Sequence, residues 1–577
     1  MNEKEIIDLS SGFKIQGSLK LDHLGIVAST INQLGISERI DKLIPLKGNS
    51  KTTIGQRVSA LILNGLGFTN NRLYLFPEYL SNKPVDLLLG SNNLKAELYN
   101  DDSLGRCLEK IHKYGTSKLF SELALPIAIE FDIPLNKAKI YKTSISLYCQ
   151  YDDNGVKELD VVELNKNKSV ANLNKTDERN INLNNDAITT FDNAKNKRLD
   201  FKQMTLLIAT NGILPLWMEL HSGNTIDQDT LEEATQRMQN FCSTLENAPP
   251  LMFIGDSTMY ENCVKKSDDL SWISRVPEKI NLAKDMISKD NINWTELENG
   301  YKMFVQYVTY GNVEQRWVLI YSQQVYDKEI ITLEKNIAQE FDEITKLLKH
   351  LKNKEYGCEA DVNNEINKIN KINKTLKYHI IQYIINEEYK YNGVGKPSKE
   401  DTPIKKINKV SSLVEQNNEA ISKAKSQKGK FILATNQLDA SVIADDKLLS
   451  TYKEQSGTES GFKFIKNNSF EIDSVFLKKP ERIDALIMIM VLCRMVNSYS
   501  QYFLHKKLEE NNETVLSQVN KPTKKPSMKW IYELLDGVLI LSVTINNEPN
   551  HMVLNLNDTL RKIIRYFGVF ACKIYDI

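Results

Sequence analysis

The chain has no excess charge of either sign: 74 lysines and arginines balance 74 aspartates and glutamates. No global basic field therefore announces a polyanionic partner, and any nucleic-acid contact must be local. None of the seven cysteines (Cys107, Cys149, Cys242, Cys263, Cys358, Cys493, Cys572) forms a CxxC pair, which removes the common structural zinc sites. An odd, dispersed set in a long chain points to reduced thiols in a cytoplasm. The seven histidines show neither HxxxH nor HExxH spacing, so a histidine metal centre has no support. The longest apolar run, ALIMIMVLC (485–493), is far short of the roughly 20 residues that span a bilayer and reads as a buried helix. The opening MNEKEIIDLSSGFKIQG has no apolar stretch of the secretory kind, so neither a membrane nor export is expected.

With 41% apolar residues in 577, there is material for roughly three or four domain cores. From about 20 to 135 the apolar spacing is helical, as in IVASTINQLGISERIDKLI, and Thr53 stands before IGQRVSALILNGLG as a helix cap. At Ile140 the period changes to the alternation of a strand, ISLYCQYDDNG, which meets a turn signal at Asp153-Asn154-Gly155. Residues 160–200 are polar and read as a loop. FKQMTLLIAT, Asn211-Gly212 and ILPLWMELH form a hairpin pattern. Then come a helix (230–245), a short buried strand LMFIG (251–255) ending at Asp256, and a strand SWISRVP (271–277). This order predicts an α/β layer on a mixed sheet. A second hairpin is expected over 301–322, charged helices over 328–430 as an extended helical hairpin or coiled segment, and a strand at FILATN (431–436).

Two carboxylates stand out. Asp256 closes a buried strand, where α/β sheets place functional groups, although a helix N-cap reading is equally open. Glu459 lies in YKEQSGTESGFKFIK (452–466), sharing a helical face with Phe462, Lys463 and Lys466. It is either a surface partner of Lys463 or an acid of a metal site beside a basic, aromatic stripe. Carboxylates converging over a sheet hold divalent cations that drive phosphodiester cleavage, and magnesium suits such an oxygen-only site.

The 452–466 stretch resembles the Y-x2-R-x3-E-x6-K signature of the DDE transposases of bacterial insertion sequences, in the superfamily numbered four. Tyr452, Glu459 and Lys466 match, and Gln455 stands in the arginine position. The similarity extends to the group labelled sixteen thirty-four through NGLG (64–67), RLDFKQ (198–203) and SGNTIDQDTL (222–231). It continues through Asp256-Ser257, WISRVP where members have WITRVP, and FLKKPERIDAL (476–486).

The resemblance implies a ribonuclease-H-like α/β core: a mixed sheet with helices, preceded by an all-α N-terminal domain and interrupted by a largely helical insertion. The expected boundaries are 1–135 (helical, DNA-binding), 136–290 (first part of the core) and 291–430 (insertion, a β-hairpin plus long helices). The rest divides into 431–505 (second part of the core, with the Glu helix) and 506–577 (C-terminal helical region). It implies catalytic and metal-binding roles for Asp256 and Glu459, and DNA contacts from Tyr452, Gln455, Lys463 and Lys466. Gln455 lacks the fork with which arginine grips phosphate. Magnesium, with manganese as an alternative, would be the cofactor. The partners would be double-stranded DNA, as transposon ends and target, and a second copy of the chain on paired ends. The location would be bacterial cytoplasm at the nucleoid.

One motif departs from the pattern. The family's first strand carries Asp-Thr-Thr-Ser; here the stretch is Tyr141-Lys142-Thr143-Ser144. A phenol is protonated and uncharged at neutral pH, so it cannot bridge two metal ions as a carboxylate does. Asp152 and Asp153 lie at least eleven residues on, about 36 Å along a straight strand, and Asp132 precedes it by nine. The two-metal site is therefore expected to be impaired. An active transposase and a non-catalytic DNA-binding remnant or inhibitor both remain open, with a structural protein built on the 328–430 helices a distant third.

Overall fold

The computed structural model describes residues 14–46, 48, 50–67, 73–148, 190–191, 201–222, 227–244, 251–265, 270–289, 291–373, 376–391, 402–453, 479–545 and 548–577. It resolves into two compact units, one of 1–255, 265–272 and 451–577, the other of 256–264 and 273–450.

In the first unit, strand β1 (Lys14–Lys20) leads into helices α1 (Leu24–Gln33), α2 (Ile36–Leu43), α3 (Ile54–Leu66), α4 (Phe76–Ser81), α5 (Val85–Leu89), α6 (Asp101–Tyr114) and α7 (Thr116–Glu130). Thr53 caps α3 as expected: its Oγ1 accepts from Gln56 N at 3.1 Å, and Gln56 Oε1 accepts from Thr53 N at 3.0 Å. Such a cap contributes about 1 kcal/mol. Along α6 the buried Leu104, Cys107, Leu108 and Ile111 repeat at one-turn spacing and turn a single apolar face inward.

The same unit carries a mixed set of strands: β2 (Lys137–Tyr148), β3 (Thr190–Phe191), β4 (Phe201–Thr210), β5 (Pro215–Ser222) and, after helix α8 (Asp227–Ser243), β6 (Met252–Gly255). β2 is antiparallel to β4 and parallel to β6, while β5 and β3 both pair with β4. The β4–β5 turn is built as its sequence predicts. Gly212 takes a φ of 96°, and Asn211 Oδ1 accepts from the amides of Ile213 and Leu214 at 2.9 and 2.8 Å. The turn expected at Asp153-Asn154-Gly155 lies outside the described residues.

The second unit opens with α9 (Ser257–Lys265), followed by β7 (Ser271–Arg275), α10 (Asn281–Ile287), β8 (Thr295–Glu296), β9 (Tyr301–Tyr310) and β10 (Val313–Ser322). Next come α11 (Gln323–Lys352), α12 (Glu359–Asn373), β11 (His379–Lys390), β12 (Lys405–Gln416), α13 (Asn418–Ser426) and β13 (Lys430–Thr435). β13 pairs antiparallel with both β7 and β10, and β10 with β9. The turn of the expected 301–322 hairpin has Gly311 and Asn312 at φ of 62° and 64°, the pair of positive values that a tight two-residue hairpin needs.

The expectation of helices through 430 is corrected here. Helix ends at Asn373, and β11 and β12 form an antiparallel hairpin. The helical isoleucine spacing stops at Ile372, and HIIQYIIN then alternates, turning Ile381, Tyr383 and Ile385 toward a core of Ile344, Leu348, Leu351, Val362 and Ile366. The charges that read as a helical surface serve instead as cross-strand pairs, Glu387 with Lys406 at 2.6 Å and Glu388 with Lys409 at 2.7 Å.

After β13 come α14 (Asp445–Lys453) and, in the first unit again, α15 (Pro480–Glu510). α15 holds the apolar run 485–493 and is long and apolar enough to cross a membrane, but 83% of its most apolar window is buried inside the protein. It is a core helix. The C-terminal part is not all helical, which corrects the expectation for 506–577. It contains β14 (Val515–Leu516), β15 (Pro522–Thr523), α16 (Met528–Leu534), β16 (Leu539–Ile545), β17 (Glu548–Leu554), α17 (Asp558–Tyr566) and α18 (Gly568–Ile574). β16 pairs with both β17 and β1, so the helical N-terminal region carries one strand whose partner is supplied by the other end of the chain. KIQGSLK has no clear alternation of its own, and a partner more than 500 residues away leaves no local signal.

Candidate active site

The geometry of the site starts with the register of two parallel strands. Lys137, Ala138 and Lys139 of β2 stand opposite Met252, Phe253 and Ile254 of β6. Two residues on from the last pair β2 reaches Tyr141, while β6 ends at Gly255, just before Asp256 in the sequence. Tyr141 is half-buried, and on its other side it faces Ile208 of β4.

Asp256 is exposed and sits at the N-terminus of α9. Its Oδ1 accepts from Thr258 N at 2.9 Å and from Thr258 Oγ1 at 2.5 Å, so the capping role weighed for it is real. Its main-chain oxygen accepts from Ser274 Oγ at 2.7 Å. Ser274 was not singled out by sequence reasoning, although a signal existed: WISRVP keeps a hydroxyl where WITRVP has threonine.

Tyr452 lies on α14, half-buried. Its neighbour Thr451 accepts a long hydrogen bond, 3.4 Å, from Lys137 Nζ on β2, which ties the end of α14 to the strand that carries Tyr141. Gln455, Glu459, Lys463 and Lys466 lie outside the described residues, as do Asp152 and Asp153. Asp132 is exposed in a left-handed turn after α7, φ 53°.

The FLKKPERIDAL motif engages the N-terminal helices. Lys479 Nζ and Arg482 Nε donate to Glu109 Oε1 of α6 at 2.8 and 3.0 Å. These two hydrogen bonds, Lys479 first, hold the Glu109 carboxyl below its usual range. Asp484 is bonded to His112 Nδ1 at 2.8 Å and accepts from Thr116 Oγ1 at 3.0 Å. Gly105 makes room for the guanidinium: a Cβ there would lie 2.5 Å from Arg482 Cζ.

Residues 175–496 match the family model described as Transposase DDE domain, which is more than half of the chain. The chain belongs to the DDE transposase family. Residues 17–125 match a domain of unknown function, DUF4277. No curated protein matched. The transposase match begins beyond β2, so the reading of Tyr141 rests on the YKTS sequence.

DDE transposases act on DNA and use divalent metal ions. Of the two acids expected to hold such ions, the described residues include Asp256, and Glu459 lies outside them. Asp256 offers one exposed carboxylate, and among the described residues no group of three or more His, Cys, Asp or Glu is placed to hold a metal ion.

Proposed function

We propose that the protein is an insertion-sequence transposase that binds the ends of its element and whose strand cleavage and transfer are crippled at one position. Residues 1–135 and the Tyr452–Lys466 stripe, with Gln455 and Lys463, would contact double-stranded DNA, in a homodimer on paired ends in the bacterial cytoplasm. Residues 136–290 and 431–505 would form the two parts of the core around the 291–430 insertion. Asp256 and Glu459 would be the remaining acids, holding magnesium or manganese too weakly for efficient cleavage. The observation that carries this reading is the Tyr141-Lys142-Thr143-Ser144 stretch on β2, which stands where the family has Asp-Thr-Thr-Ser.

A neutral phenol in place of that aspartate neither binds a divalent cation tightly nor balances its charge. Purified protein is expected to shift a transposon-end duplex yet nick it barely in magnesium, whereas Tyr141→Asp gains magnesium-dependent nicking. Robust nicking by the unaltered protein would sink the idea of a crippled site. A Tyr141→Asp protein that binds ends but stays silent favours the remnant or inhibitor reading.

A further inference from the structure

The start of α14 is held from inside the second unit. Arg316, near the beginning of β10, is fully buried, with Tyr307 opposite it on β9 and Thr435 on β13. Its guanidinium reaches the connection between β13 and α14. Nη1 donates to Asp445 Oδ1 at 2.9 Å, and Nη2 to the main-chain oxygen of Ile443 at 2.8 Å. Among the described residues Nε, also buried, has no hydrogen-bond partner. The connection is otherwise folded by short-range bonds, from Gln437 N to Thr435 Oγ1 at 3.1 Å and from Ser441 N to Asp439 Oδ1 at 2.8 Å.

Burying a guanidinium with one donor unmet is costly, and an apolar side chain of similar volume is often as stable or more so in such a place. What the arginine supplies is direction. Two donors in one rigid plane fix a carbonyl of the connection and the first carboxylate of the helix together. α14 runs unbroken from Asp445 to Lys453, so holding its first turn holds Tyr452 about two turns further on.

We propose that Arg316 is a positioning residue for α14 and so sets where Tyr452 is presented to DNA. The second half of that statement rests on the DNA-end reading of Tyr452; the first does not.

The test uses full-length protein with Arg316→Met, Arg316→Lys and Asp445→Asn. It reads thermal unfolding, amide hydrogen exchange by segment, and the ratio of affinities for a transposon-end duplex and an unrelated duplex. In Arg316→Met the amides of 446–453 are expected to exchange about tenfold faster or more, while β10, β13 and α15 keep their protection. The affinity ratio falls in parallel, and Arg316→Lys, which keeps charge but not the fork, lies between. Unchanged exchange in α14, or a rise spread evenly over the chain, overturns the proposal. Where Arg316→Met does not fold, Asp445→Asn decides by the same local readout. If the unaltered protein shows no preference for ends, the DNA reading fails, and the exchange result still judges Arg316.

Discussion

At the scale of single residues, Asp256 does two things that a substitution can separate. Its side-chain oxygen caps α9 through Thr258 N, and its charge is what a cation would need. Asparagine caps a helix about as well as aspartate, whereas alanine forfeits about 1 kcal/mol. Asp256→Asn is therefore expected to melt close to the unaltered protein and Asp256→Ala a few degrees lower, with both losing any rise in melting temperature on adding magnesium. A magnesium-dependent rise that survives in Asp256→Asn would remove Asp256 from the metal site. This residue was legible because a buried strand ending in an acid before a helix is a local pattern. Arg316 was not, because its partners come from distant parts of the chain and it has no neighbour pattern of its own, and Ser274, which donates to Asp256 O, showed only as the hydroxyl that WISRVP keeps.

At the scale of elements, hairpins with tight turns were readable, since Asn211-Gly212 and Gly311-Asn312 carry their backbone requirement in their composition. β1 and the β11–β12 hairpin were not: one borrows its partner from the far terminus, and the other hides its alternation in lysine- and glutamate-rich sequence. The junction of α6 with α15 has a similar character. The motif FLKKPERIDAL was visible, but Glu109, His112 and Thr116, which receive it, were not. Gly105 gives this junction a clean test. In a helix interior, alanine is ordinarily better than glycine by about 1 kcal/mol, yet here the added methyl would meet Arg482. Because the atoms met are the far end of a flexible side chain, Arg482 can give way, and Gly105→Ala is expected to be neutral or to destabilise by about 1 kcal/mol at most. In an Arg482→Ala background the same change is expected to be stabilising. Thermal unfolding of the four proteins in the cycle measures the difference, and equal effects of Gly105→Ala in both backgrounds would contradict the seating of Arg482 on the glycine.

At the scale of the whole molecule, the first helix and the C-terminal residues pack together. Tyr575 Oη donates to Asp22 O at 2.6 Å, Ser29 Oγ donates to Phe567 O at 2.8 Å, and Gly25 lies so close under the Tyr575 ring that a Cβ would come within 2.4 Å of it. The segment matched by the domain of unknown function is thus built into the same unit as the C-terminal residues, and a DNA contact made by it would be made from a braced surface. The even balance of 74 basic and 74 acidic residues bears on how such a contact behaves. Without a net field, attraction comes from the few lysines and arginines that touch phosphate, and each releases counterions when it does so. A patch making roughly six phosphate contacts is expected to lose about a thousandfold in affinity for an end duplex between roughly 50 and 200 mM salt. Electrophoretic shifts across that range measure the slope. An affinity that stays level with salt would mean that the duplex is held without phosphate neutralisation, and the basic stripe ending at Lys466 would then have no part in binding it.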